Sequence, residues 1–139
     1  MRSKIEQLIS NLKSKKNSAK NEQATKQGII LPFFNALGYD SFNTDEIIPE
    51  YEIKSRRSEN VDYAIVVNKI PIMIIECKHW REKLKDHWAQ LDGYFRYADG
   101  FHLGILTNGI HYQFFSDFEE TNKMDKRPFL DFNLERNPE

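Results

Sequence analysis

A single cysteine, Cys77, among 139 residues excludes an internal disulfide. One thiol without a Cys or His cluster at ligand spacing gives no sign of a zinc site, and Cys77 reads as a small buried apolar residue. The four histidines, His79, His87, His102 and His111, show no H-E-x-x-H spacing. No apolar run approaches the length that crosses a bilayer, which excludes membrane insertion. The opening MRSKIEQLISNLKSKKN lacks the continuous apolar stretch and small-residue cleavage site of a secretory signal, so the cytoplasm is the expected location. Positive charge is not in excess either: the formal net charge is -1, so any nucleic-acid contact must rest on local clusters. Repeats and low-complexity segments are also missing.

What is present suits one globular domain spanning 1–139, with 40% hydrophobic and 29% charged residues. Ile5, Leu8, Ile9 and Leu12 recur at helical spacing, and Lys13 to Lys16 complement the C-terminal end of that first helix. A second helix is expected from near Ser18 or Asn21 to Gly38, with Ala24, Ile29, Ile30, Phe33, Phe34 and Leu37 as its apolar stripe. Pro32 should kink it by removing the bond to the Gly28 carbonyl.

Ser41 to Glu59 reads as one irregular strand followed by a turn over Lys54 to Asn60. Val61 to Val67 and Ile70 to Lys78 are β-rich runs joined at Asn68 and Lys69, a hairpin. Leu84, Trp88, Leu91, Phe95 and Ala98 then repeat at three and four, predicting a helix. Asn108-Gly109 between Leu103–Thr107 and Ile110–Phe115 signals a second hairpin. The tail from Glu119 has little periodicity and is expected to wrap the surface. This order predicts an α/β fold, a mixed sheet with helices covering its faces.

The chemistry concentrates at strand ends. On the strand IPIMIIECK alternate residues share a face, so Glu76 and Lys78 stand side by side where it leaves the core. Asp62 lies at the same edge of the hairpin. It opposes Glu76 on one face if Val67 pairs with Pro71, leaving Asn68, Lys69 and Ile70 as a three-residue loop; a two-residue turn without a bulge puts it on the other face. Two carboxylates and an ammonium so converged suit Mg²⁺ and phosphodiester hydrolysis, the ion stabilising phosphate charge and lysine assisting the attacking water or the transition state. The bland alternative is an ion pair at a strand end.

Asp62 followed by Glu76-Cys77-Lys78 after PIMII resembles the PD-(D/E)XK nuclease superfamily, and within it the N-terminal nuclease domain of type I restriction enzyme R subunits. NEQATKQGIILPFFNALGYD is similar to that family's opening helix, with Glu22 at the acidic position. Gln90 and Tyr94 in AQLDGYFRYA resemble its Gln-x-x-x-Tyr element, and GILTNGIHYQFF its closing Thr-Asn-Gly hairpin. The match runs from about Asn21 to Phe115. Val61 stands where the superfamily often has proline.

The resemblance implies a restriction-endonuclease-like fold and a Mg²⁺-dependent DNA endonuclease in which Mn²⁺ substitutes for Mg²⁺. Glu22, Asp62, Glu76 and the Cys77 backbone carbonyl would bind metal, Lys78 would serve the water or transition state, and Gln90 and Tyr94 would position the substrate backbone. His79 is a lesser candidate because it follows Lys78. Lys54, Arg56 and Arg57 lead into Asp62 and are the preferred phosphate contacts, ahead of Lys13, Lys15, Lys16 and Lys20. His87, Gln90, Tyr94 and Tyr97 share a helix face that could track a phosphate backbone.

No G-x-x-x-x-G-K-[ST] loop is present, whereas type I enzymes cut after translocation by a motor that carries one. A nuclease of this kind would act alone, as a homodimer, or with separate motor and specificity subunits. The competing reading is a non-catalytic DNA-binding or scaffold module with the same fold. An RNA or nucleotide phosphodiesterase shares the metal chemistry and differs only in its substrate groove.

Overall fold

Helices form the N-terminal part of the computed structural model, which describes residues 1–53, 59–97, 100–121 and 123–135. The first expected helix is two short ones, α1 (Arg2–Ser10) and α2 (Leu12–Ser18), which bury Leu8 and Leu12. Asn21 caps α3 (Glu22–Thr25), its side-chain oxygen accepting the Ala24 N–H at 2.7 Å. The irregularity expected at Pro32 is a π-helical segment, Lys26–Ile30, that runs into α4 (Leu31–Ala36). Proline has no N–H for the Gly28 carbonyl, and that carbonyl accepts from Lys15 Nζ at 3.0 Å, which ties α2 to the wide turn. Gly38, at φ 110, stops the chain from continuing as helix.

The strands are β1 (Ile47–Ile53), β2 (Glu59–Val67), β3 (Ile70–Cys77), β4 (Leu103–Thr107), β5 (His111–Ser116) and β6 (Leu130–Asn133). They form a 6-stranded sheet in sequence order. Neighbours are antiparallel except β3 and β4, which are parallel. A parallel pair needs a crossover, supplied by a 3₁₀ turn (Leu84–Asp86) and α5 (Trp88–Tyr97). This is the restriction-endonuclease-like α/β architecture expected from the sequence. The tail departs from expectation: β6 pairs along β5 as a strand, its four residues too short a run to show a period of two. No helix among the described residues is long and apolar enough to cross a membrane.

Alternation along the central strands feeds two cores. Ala64, Ile74 and Leu106 pack with Leu91, Tyr94 and Phe95 of α5. Tyr63, Ile65, Ile75, Cys77 and Ile105 pack with Leu8, Ile30, Phe33 and Phe34 of the N-terminal helices.

The β2–β3 hairpin reaches the required parity by another route than a three-residue loop. Asn68 and Lys69, at φ 51 and 67, form a two-residue turn with Val67 opposite Ile70. Pairing then runs Val66 to Pro71 but Ile65 to Met73, so Ile72 is the extra residue of a β-bulge. Beyond the bulge Tyr63 pairs with Ile75, and one step further Asp62 comes level with Glu76.

The contact of α5 with β4 is close enough to test. A Cβ on Gly104 would lie 2.6 Å from Phe95 Cε1 and 3.3 Å from Leu91 Cδ2. Gly104→Ala should therefore destabilise the fold by about 1–3 kcal/mol through overpacking. Gly93, in α5 with nothing within 4 Å of an added Cβ, is the control. Gly93→Ala should be neutral or stabilising by about 0.5–1 kcal/mol. Urea unfolding midpoints measure both; equal midpoints for the two variants would contradict the close packing.

Candidate active site

Asp62 reaches two layers of the molecule at once. Its Oδ2 accepts the backbone N–H of Cys77 at 2.7 Å, across the end of the β2–β3 hairpin. Its Oδ1 accepts from Lys26 Nζ at 2.5 Å, at the start of the π-helical segment. Lys26 is only 6% exposed. Its ammonium also stands 3.8 Å from Glu22 Oε2, one helical turn earlier, whose side chain is 46% exposed. Burial lowers the Lys26 pKa, but the hydrogen bond and charge of Asp62, with smaller contributions from Cys77 and Glu22, raise it beyond its ordinary value.

Glu76, at the end of β3, is 4% exposed. Lys78 Nζ lies 3.4 Å from Glu76 Oε2 and donates to Gln90 Oε1 at 2.7 Å. Gln90 Nε2 donates to the Tyr94 hydroxyl at 3.3 Å, and that hydroxyl donates to the Asn60 carbonyl at 3.5 Å. The relay ties β3, α5 and β2 together and fixes where the Lys78 ammonium points. Burial, then the facing Asp62 carboxylate, push the Glu76 carboxyl up to about 8 against the opposing pull of Lys78. Burial and Glu76 push the Tyr94 phenol up to about 12.

The structure thus gathers Asp62, Glu76, Lys78, Gln90 and Tyr94. Tyr94 is 6% exposed, so it anchors Gln90 from within the core and is not part of an open stripe with the exposed Tyr97. Among the described residues Glu22 joins them through Lys26. Among the described residues no three Asp, Glu, His or Cys side chains close into a metal cage. The Asp62 and Glu76 carboxylates nevertheless suit Mg²⁺, which binds through one or two carboxylates and retains water and phosphate oxygens.

His79 turns away, its Nε2 3.2 Å from the Ala19 carbonyl, to which Trp80 Nε1 also donates at 2.9 Å. Both pin the chain after Lys78 to the helical layer. Lys16 and Arg81 flank the Trp80 ring at 5.1 and 5.0 Å, and Lys16 also pairs with Glu135. His87 Nε2 lies 3.3 Å from Glu82 Oε2. Lys54, Arg56 and Arg57 lie outside the described residues. Lys26 is the residue that sequence reasoning did not assign to the site; a lysine on an apolar helix face, four residues after a glutamate, was the available signal.

A family model, type I restriction enzyme R protein N terminus, matches residues 43–123. Asp62, Glu76, Lys78, Gln90 and Tyr94 lie inside that span, and Glu22 and Lys26 lie before it. No curated protein and no solved structure matches the chain.

The Glu76 environment has a consequence for stability. Its carboxyl titrates near 4.5 when unperturbed and about 8 in the fold, so the folded protein holds the proton more tightly. Stability from this group is full below the unfolded value and is lost as pH rises through the folded one. In metal-free buffer Glu76→Gln, which stays neutral, should gain on the native chain by on the order of 4 kcal/mol at pH 8.5 relative to pH 4.5. Denaturant titration at both pH values measures this, and a pH-independent difference would refute it.

Proposed function

The chain belongs to the type I restriction enzyme R protein N-terminal family, and we propose that it is a metal-dependent DNA endonuclease domain that hydrolyses phosphodiester bonds. The observation that carries this reading is the buried Glu76 beside a Lys78 ammonium aimed by Gln90, at the strand end where Asp62 comes level. Burying ionisable groups of this kind costs several kcal/mol, and a sheet end gains nothing structural that an apolar pair would not supply.

In this reading Asp62, Glu76 and the Cys77 backbone carbonyl hold Mg²⁺ or Mn²⁺. Such an ion supplies charge stabilisation at the scissile phosphate and a water of lowered pKa. Lys78 places a positive charge where negative charge develops on the phosphate, or orients the attacking water. Gln90 and Tyr94 act as positioning residues, since both reach Lys78 through the relay. A single site cuts one strand at a time. Double-strand cleavage would then require a homodimer, successive nicks, or assembly with separate motor and specificity subunits, acting on DNA in the cytoplasm.

The test is cleavage of supercoiled and linear DNA with Mg²⁺ or Mn²⁺, comparing the native chain with Asp62→Ala and Lys78→Ala. Metal-dependent nicking should fall by about 100-fold or more in both variants. Preferential cleavage of an RNA control would reassign the substrate. Absence of cleavage by the folded chain, with DNA binding retained, would favour a non-catalytic DNA-binding or scaffold module.

A further inference from the structure

Lys26 stands apart from the machinery described above: a buried ammonium shared between two carboxylates, one of which is assigned to the metal. We propose that Lys26 is an internal competitor for the metal position at Asp62, and that metal binding moves its ammonium from Asp62 onto Glu22. The inference rests on the metal reading of Asp62.

Three observations carry it. Asp62 Oδ2 is engaged by the Cys77 N–H, and Lys26 Nζ occupies Oδ1 at 2.5 Å. A divalent ion drawn to this carboxylate therefore meets a positive charge already seated there, with which it cannot share the oxygen without strong repulsion. The second observation is an alternative seat. Glu22 Oε2 is 3.8 Å from the same ammonium, in the helical order, glutamate four residues before lysine, that favours the pair. At 46% exposure this carboxylate is well hydrated, and accepting the ammonium requires a small swing of the lysine stem. The third is the lack of a third metal-ligating side chain beside Asp62 and Glu76 among the described residues. For Glu22 to ligate directly, Lys26 would first have to leave the space between Glu22 and Asp62.

Glu22 thus acts on the metal through Lys26, a positioning role and not that of a ligand. The two roles separate in a double-mutant cycle read by metal affinity. Mn²⁺ is titrated calorimetrically into the full chain, Lys26→Gln, Glu22→Gln and the double variant. Lys26→Gln should bind Mn²⁺ about tenfold more tightly than the native chain, because the competing charge is gone. Glu22→Gln should weaken binding several-fold where Lys26 is present and have no effect in the Lys26→Gln background.

Equal weakening by Glu22→Gln in both backgrounds would make Glu22 a direct ligand and overturn the proposal. Equal affinities of the native chain and Lys26→Gln would overturn the competition while leaving the metal reading intact. Absence of binding in all four proteins would overturn the metal reading itself. Lys26→Met repeats the comparison if Lys26→Gln fails to fold. Labelling provides a second readout on the native chain: reductive methylation of Lys26, followed by mass spectrometry, should increase with Mn²⁺ as the ammonium moves towards the half-exposed Glu22. Unchanged labelling at saturating Mn²⁺ would overturn the exchange.

Discussion

The carboxylate of Asp62 joins the sheet, the helical layer and the candidate chemistry. One oxygen is bound by a backbone N–H of β3 and the other by an ammonium from the opening helix. Removing either partner would leave part of a partly buried charge uncompensated, a far larger cost than losing a surface ion pair. The positions of β2 relative to β3, and of the helix relative to both, are therefore linked through two atoms. That linkage explains why irregular backbone is found at two places leading to this residue.

The first is the π-helical segment that begins at Lys26. Pro32 takes one N–H out of the helix, and the wide turn with the Lys15 cap on the Gly28 carbonyl absorbs the loss without ending the helix. Lys26 enters this segment from a cap that fixes the start of α3 at Asn21, so cap and wide turn bracket the lysine. The second is the bulge at Ile72. A tight turn of two left-handed residues sets a register that would send Asp62 to the opposite face, and the extra residue reverses it. Each irregularity costs local hydrogen bonding and is offset by the contacts it allows at Asp62.

Much of this was legible in the sequence because it depends on period and on short-range chemistry. The Asn-Gly turn, the apolar strand leading to Glu76 and the helix over Leu91 and Phe95 each announce themselves within about ten residues. The bulge does not: nothing in NKIPIM distinguishes a three-residue loop from a two-residue turn with an extra residue at Ile72. Both satisfy the same condition on Asp62, which is why the pairing with Glu76 could be anticipated by the wrong route. β6 was missed for a related reason, since four residues at a sheet edge carry too little period to stand out. Tyr94 lay on the expected helix, but whether it faced water or core depended on how that helix packs on β4 at Gly104.

Charge explains what the positions alone do not. Three carboxylates, Glu22, Asp62 and Glu76, stand with two ammoniums, Lys26 and Lys78. Burial and the facing Asp62 drive Glu76 towards its protonated form. With Glu76 neutral, the remaining two negative and two positive charges of these five groups cancel. That balance is what allows Lys26 and Glu76 to be almost wholly buried. It also distinguishes the two lysines. Lys78 is held from outside by Gln90, a neutral partner anchored through Tyr94. Lys26 is shared between two carboxylates, those of Asp62 and Glu22. An ammonium held by a neutral amide beside Glu76 and one shared between carboxylates beside Asp62 are therefore physically different, although both are lysines at the same sheet end.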